Sequence, residues 1–289
     1  MVKYFVKEGT GLDFSLFETA LYGLVSGLAD ILPVSAHAHR LLLLKLYGQT
    51  NEAAVLRMFI RLGVFAAAFL HCQPHIIRML RAKRLSRIPK RRRKRPLDTK
   101  SLMDYSLWKT MLLPVILSFF LYKKAQSLEY SLVWVSVFIL LNGLILYIPQ
   151  FFPTSNKDSR MLSRVEGLCM GLGGAVTILP GISGTGMAVS FASICGVERS
   201  YGLVMSLLMN LGIWTGLIVF DFLDVIKLGM YGISFGIILH CIIGGITAFG
   251  GAYMGIRVMK SIARDKDYTI FSYYCWGLAL FTFVLNLMA

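Results

Sequence analysis

Along this chain apolar stretches alternate with short polar or proline-marked interruptions, and the stretches come in two lengths. A helix that crosses a bilayer needs about 20 mostly apolar residues. Residues 12–32, 53–72, 105–122, 131–150, 201–220, 230–256 and 269–288 reach or approach that length, so each reads as a membrane-crossing helix. Residues 34–47, 165–179 and 183–197 fall short of it. Pro33 stops the first stretch, and Pro180-Gly181 stops the one at 165–179, because proline lacks the amide donor that carries a helix onward. The pattern is a helix broken by proline and followed by a short helix, twice in one chain.

The two interruptions carry nearly the same string. Residues 30–39 read DILPVSAHAH, and residues 177–186 read TILPGISGTG. Interruptions at corresponding positions in two halves of a membrane chain point to a binding site where the halves meet. The predicted fold is therefore an all-α polytopic membrane protein. One integral domain covers residues 1–289, with a first repeat at 12–150 and a second at 163–289.

Composition supports that class. Hydrophobic residues make up 56%, charged residues only 16%, and the mean hydropathy is +0.66. A soluble domain carries roughly 25% charge and cannot hide so much apolar side chain from water. Disorder is excluded on the same numbers. The five cysteines are widely spaced, with no metal or redox spacing between them.

Charge supplies the orientation. Lys and Arg number 30 against 15 Asp and Glu, a net of +15, and residues 81–100 alone hold 11 basic residues against Asp98. Flanked by hydrophobic helices, such a run reads as a cytosolic loop in contact with anionic lipid headgroups, not as a nucleic-acid site. With that loop in the cytosol, the first broken pair dips into the bilayer from the outer side and the second from the cytosolic side. The repeat is then of inverted topology, with two re-entrant helical hairpins. Arg257, Lys260, Arg264 and Lys266 also fall on the cytosolic side, whereas Lys123 and Lys124 fall on the outer side, against the rule.

The two tips concentrate polar groups in an apolar chain. The first supplies Ser26, Asp30, Ser35, His37 and His39. The second supplies Thr177, Ser183 and Thr185, with backbone amides around Gly181, Gly184 and Gly186. Helix N-termini behind each break favour anions such as phosphate, and glycines let backbone approach one closely. Asp30, an acid at membrane depth, is functional by default. Glu18 and Glu166 open hydrophobic helices and read as interfacial, as do Trp108, Trp134 and Trp276.

The strings GLADILPVSAHAH and ILPGISGTG resemble the two signature regions of the undecaprenyl-diphosphatase, or bacitracin-resistance, family. FASICGVERSYGLVMSLL and FIRLGVFAAAF extend the similarity over most of the chain. The resemblance implies an inverted repeat with two re-entrant hairpins. It also implies removal of one phosphate from a C55 isoprenoid diphosphate at the outer face of the bacterial plasma membrane, recycling the cell-wall lipid carrier. The family has a Glu/Gln-x-x-x-Glu pair before the first proline, where this chain has Ser26 and Asp30. Of Pro-x-Ser-Ser-x-Gly-His, Pro33, Ser35 and His39 match, while Ala36 and Ala38 replace Ser and Gly. Of Pro-Gly-x-Ser-Arg-Ser, Pro180, Gly181 and Ser183 match, Thr185 replaces Ser, and Gly184 stands where the Arg belongs.

Carried over residue by residue, the resemblance implies that Asp30 organises a divalent cation (Mg²⁺ or Ca²⁺) or activates a hydroxyl. It makes His39 the acid/base group and has Ser35 and Ser183 position or attack phosphate. Ser26, His37, Gly181, Gly184, Thr185 and Gly186 would contact substrate. The missing Arg removes the obvious charge clamp for phosphoryl transfer, and Arg40 or Arg61 is the expected substitute, Arg61 because it sits mid-span. The partners implied are a polyprenyl phosphate lipid, the membrane and a second copy of the chain. The alternative is a relative that binds or moves a phosphorylated lipid without hydrolysing it.

Overall fold

The computed structural model describes residues 14–49, 52–128, 131–152, 156–228, 235–265 and 268–288. Its helices are α1 (Leu16–Ile31), α2 (Ala36–Leu46), α3 (Ala54–Ser86), α4 (Thr99–Ser118), α5 (Tyr122–Gln126) and α6 (Leu132–Tyr147), then α7 (Arg164–Ala175), α8 (Gly184–Ile194), α9 (Arg199–Leu228), α10 (Phe235–Asp265) and α11 (Thr269–Met288). Among the described residues the one β pairing is an isolated bridge between Lys157 and Val197. Six helical segments, Ala54–Ser86, Thr99–Gln126, Leu132–Phe151, Arg199–Lys227, Phe235–Arg264 and Thr269–Leu287, are long and apolar enough to cross a bilayer. Large apolar side chains such as Phe120, Phe222, Ile246 and Leu280 stand exposed on them. So much outward apolar surface is stable only against lipid, and the chain is a multi-pass integral membrane protein. The predicted starts at residues 12 and 230, and Lys266, lie outside the described residues.

Three helices outrun their predicted ends. α10 runs past the predicted 256 on to Asp265. The stretch at 53–72 continues through Pro74 to Ser86, so part of the basic run at 81–100 is the solvated end of α3. The stretch at 201–220 continues to Leu228. Asp221 marked its end in the sequence, but Arg57 and Arg61 neutralise that carboxylate and leave it fully buried within α9.

The halves begin alike. Ser15 caps α1 and Ser163 caps α7, and in each the N3 glutamate, Glu18 or Glu166, reaches back to complete a capping box. These glutamates are thus held at helix starts. Each break then ends in a serine N-cap: Ser35 binds the Ala38 amide and Ser183 the Gly186 amide. The turns differ in one respect. Ser35 takes φ 63°, two residues after Pro33, whereas in the second break Gly181 takes φ 105°, one residue after Pro180. Glycine adopts such angles freely and serine does not; Ser35 is held by its own cap and by a hydrogen bond between its carbonyl and His39 Nδ1.

Packing follows the same duplication. α1 packs on α10 and α7 on α4; α10 also packs on α3 and α4 on α9; α3 meets α9, and α6 meets α11. Exchanging α1, α2, α3, α4 and α6 for α7, α8, α9, α10 and α11 leaves these pairings unchanged. Each broken pair returns to where it began. The Phe14 and Tyr47 rings, before α1 and after α2, lie 5.5 Å apart. Lys157 Nζ bonds Glu166 in the first turn of α7 (2.8 Å) and the Cys195 carbonyl after α8 (3.1 Å).

The two pairs open at opposite ends of α10, which is about 45 Å long at 1.5 Å per residue. The Phe14 carbonyl accepts from His240 near its start. A cavity of about 250 Å³ joins Ser193 and Val197, at the end of α8, to Ala263 and Arg264 at its finish. At that second end Lys100 lies 3.6 Å from Asp158, and the Arg160 guanidinium holds the Asp158 carboxyl down at about 2.

Small residues set the helix spacing. A Cβ at Gly27 would collide with the Ala248 carbonyl of α10, and one at Gly63 with the Gly245 carbonyl. Gly27→Val is expected to lower stability by about 1–3 kcal/mol or more through overpacking, read as a drop in the thermal unfolding midpoint in detergent. Gly250→Ala, where nothing lies within 4 Å, should leave the midpoint unchanged.

Candidate active site

The two breaks touch, and one side chain binds both. Asn142, fully buried on α6, donates its Nδ2 to the Pro33 carbonyl (3.1 Å) and accepts the Ser183 amide on its Oδ1 (2.9 Å). Ser183 Oγ donates to the Leu32 carbonyl (3.2 Å), and Thr185 Oγ1 to the Asp30 carbonyl (3.2 Å). Asn210 on α9 in turn donates to Thr185 Oγ1 (3.0 Å). Backbone groups that the prolines leave unpaired in each break are therefore satisfied by the other break or by a buried amide, as a water-free interior demands.

Beside this junction is a cavity of about 80 Å³. Asp30, His37 and Arg40 line it from the first break, Arg61 from α3, Ser183 and Gly184 from the second break, and Asn210 and Trp214 from α9. Its polarity is set by buried charge. Arg61 Nη1 binds Asp221 Oδ2 (2.5 Å) and lies 3.4 Å from the Leu217 carbonyl, while Arg57 Nε binds Asp221 Oδ1 (2.8 Å). Arg40, only 7% exposed, is held more loosely: Nη1 lies 3.7 Å from Asp30 and Nε 3.8 Å from Glu52. Those two nitrogens, and Asp30 Oδ2, have no hydrogen-bond partner among the described residues.

Residues 19–281 match the family described as Bacitracin resistance protein BacA. The chain belongs to this family. It is similar over 93% of its length to an undecaprenyl-diphosphatase of Methanobrevibacter smithii, at 28% identity and over 97% of that protein. It is 25% identical to an undecaprenyl-diphosphatase of Carboxydothermus hydrogenoformans and 22% identical to one of Halothermothrix orenii, covering 97% and 98% of those proteins.

Against the signature of the bacitracin-resistance family, the cavity gathers some expected residues and not others. Asp30, His37, Ser183, Gly184 and Arg61 line it. His39 does not: its ring stacks on Tyr274 of α11, with Nε2 2.6 Å from the Tyr274 hydroxyl and Nδ1 on the Ser35 carbonyl. His39 joins α2 to α11, two positions round the helix from His37, so the acid/base role expected of it has no cavity geometry behind it. Ser35 caps α2, and Ser26 is wholly buried in α1; neither lines the cavity. Gly181, Thr185 and Gly186 also sit in the junction and not on the cavity wall: Gly181 lies against the Val135 carbonyl, and Gly186 against Pro33. At Gly184 a Cβ would stand 2.9 Å from Asn210 Oδ1, so any side chain there must displace Asn210.

Asp30 pairs with Arg40, at 3.7 Å. Asn142, Asn210 and Asp221 escaped the sequence reading. Each is a polar residue inside or just past an apolar stretch, which is the signal that could have found it. Trp108, expected at the interface, donates its indole N–H to the Leu208 carbonyl (2.9 Å) and ties α4 to α9.

A resident divalent cation does not fit this donor set. Mg²⁺ and Ca²⁺ need several oxygen ligands. Asp30 is the one carboxylate on the cavity wall, two guanidiniums share that wall, and no group of three His, Cys, Asp or Glu side chains converges among the described residues.

Asn142→Ala would strand the Ser183 amide and the Pro33 carbonyl. Leaving a buried polar group unsatisfied costs about 1–3 kcal/mol. A fall in the unfolding midpoint in detergent, larger than that of Leu141→Ala on the exposed side of α6, checks this.

Proposed function

We propose that this chain is a membrane phosphatase that removes the terminal phosphate of a polyprenyl diphosphate, undecaprenyl diphosphate being the candidate its relatives' names supply. The observation that carries the reading is the cavity where the two breaks meet. It sets one carboxylate, Asp30, beside two guanidiniums in an otherwise apolar protein. A pocket with excess positive charge suits a diphosphate, and an adjacent carboxylate suits the removal of a proton.

In this reading the two broken pairs are re-entrant hairpins of an inverted repeat. The first opens toward the outer face and the second toward the cytosol. The basic run at 81–100 lies against anionic headgroups on the cytosolic side. The lipid tail stays in the bilayer while its head enters the cavity from the outer half.

Asp30 takes a proton from water as that water attacks the terminal phosphorus. The bond from that phosphorus to the bridging oxygen breaks, leaving inorganic phosphate and the lipid monophosphate. Arg61, fixed by Asp221 and the Leu217 carbonyl, contributes positive potential on the wall. Ser183, whose hydroxyl already caps α8 and bonds Leu32, holds the second break in place beside the substrate. A divalent cation enters only as the counter-ion a diphosphate carries in with it.

Purified protein should release phosphate from C55 diphosphate. Asp30→Asn should lower that rate by about 100-fold or more, the usual size of a lost general base, with the unfolding midpoint kept. A variant with undiminished turnover sinks the role given to Asp30; no release by the intact protein, with or without Mg²⁺, sinks the phosphatase reading. Orientation is checked separately in cells, with native cysteines replaced. Lys45→Cys should react with an impermeant maleimide from outside, and Arg160→Cys only after the membrane is opened.

A further inference from the structure

The cavity wall holds a buried guanidinium two of whose nitrogens, Nε and Nη1, are closed to solvent and have no hydrogen-bond partner among the described residues. Arg61 is engaged: Asp221 and the Leu217 carbonyl take its Nη1. Arg40 is not. Its two carboxylate neighbours stand at 3.7 and 3.8 Å, well outside the 2.7–2.9 Å of a charge-assisted hydrogen bond. Nε and Nη1 find no other acceptor among the described residues, although the side chain is almost wholly buried. Buried guanidinium donors are normally saturated. An unsaturated one on a cavity wall is a site shaped for an acceptor that arrives from outside.

We infer that Arg40 is the diphosphate-binding cation of this protein, and that Glu52 is the counter-ion that competes with the substrate for it. The proposal rests on reading the cavity as the phosphate site. Three features make Arg40 suited to the task. It is the fifth residue of α2, a little over one turn behind the Ser35 cap, so the first break itself aims it. It stands between Asp30, on the cavity wall, and Glu52, which does not line the cavity. An incoming oxyanion therefore meets the guanidinium while Asp30 is screened by it and Glu52 holds it from behind. Finally, the second-repeat residues on the opposite wall include no cation, and Gly184 there packs against Asn210. Positive charge for the substrate has to come from the first repeat, and Arg40 is the member with donors to give. A phosphoryl oxygen that displaces one of these long carboxylate contacts satisfies the donors and costs the protein no existing hydrogen bond.

Inorganic pyrophosphate is the probe, titrated calorimetrically into purified protein, with KM for the C55 diphosphate measured in parallel. Arg40→Gln should weaken pyrophosphate binding and raise KM by about tenfold or more, as expected for losing a charge-assisted contact. Arg40→Lys should recover part of both. Glu52→Gln removes one of the two carboxylates competing for the guanidinium and should tighten binding by a few-fold, the opposite sign. Equal pyrophosphate binding by the intact protein and Arg40→Gln overturns the inference, as does unchanged or weaker binding in Glu52→Gln. Should Arg40→Gln fail to fold, Glu52→Gln decides alone. Pyrophosphate binding that depends on Arg40, in a protein that releases no phosphate, upholds the inference and removes only the hydrolytic reading.

Discussion

A helix interrupted inside a bilayer leaves amides and carbonyls that lipid cannot satisfy, and in this protein each interruption answers for the other. The Pro33 carbonyl and the Ser183 amide meet through the single side chain of Asn142, and Ser183 and Thr185 reach directly to the carbonyls of Leu32 and Asp30. Each break thus draws on its counterpart for backbone hydrogen bonds. The cavity is a by-product of that requirement: two turns brought together to satisfy backbone leave a small polar space between their side chains.

The second constraint is buried charge. Unpaired ions are expensive in low dielectric, and the protein handles its own in two ways. Asp221 is saturated by Arg57 and Arg61 and locks α3 to α9, so those charges are structural as well as electrostatic. Asp30, Arg40 and Glu52 form a looser row with open donors and acceptors. Tight pairs hold the scaffold, and the Asp30–Arg40 end of the loose row lines the cavity, with Glu52 behind it.

The duplication was legible residue by residue. The ILP strings located both breaks, the serine after each proline proved to be a helix cap, and Glu18 and Glu166 opened helices as their positions implied. The site was only partly legible. A motif assigns residues to a neighbourhood, but a helix turns 100° per residue, so His37 and His39 diverge: one enters the cavity and the other binds Tyr274 on α11. Asn142 and Asn210 carried no motif, because their partners lie elsewhere along the chain: backbone at Pro33 and Ser183 for Asn142, the Thr185 hydroxyl for Asn210.

What the sequence alone determined is what depends on local chemistry: apolar length, proline interruption and the lopsided placement of positive charge. These are read from neighbours along the chain, and they define a multi-pass helical protein with two matched breaks. What only the tertiary structure decided is which polar groups share a space. That Asp30 faces Arg40, that Asp221 occupies Arg61, and that Gly184 abuts Asn210 all depend on how separate helices, neighbouring or distant in sequence, cross. Electrostatic pairing falls off with distance through space, and distance through space is what linear order does not specify.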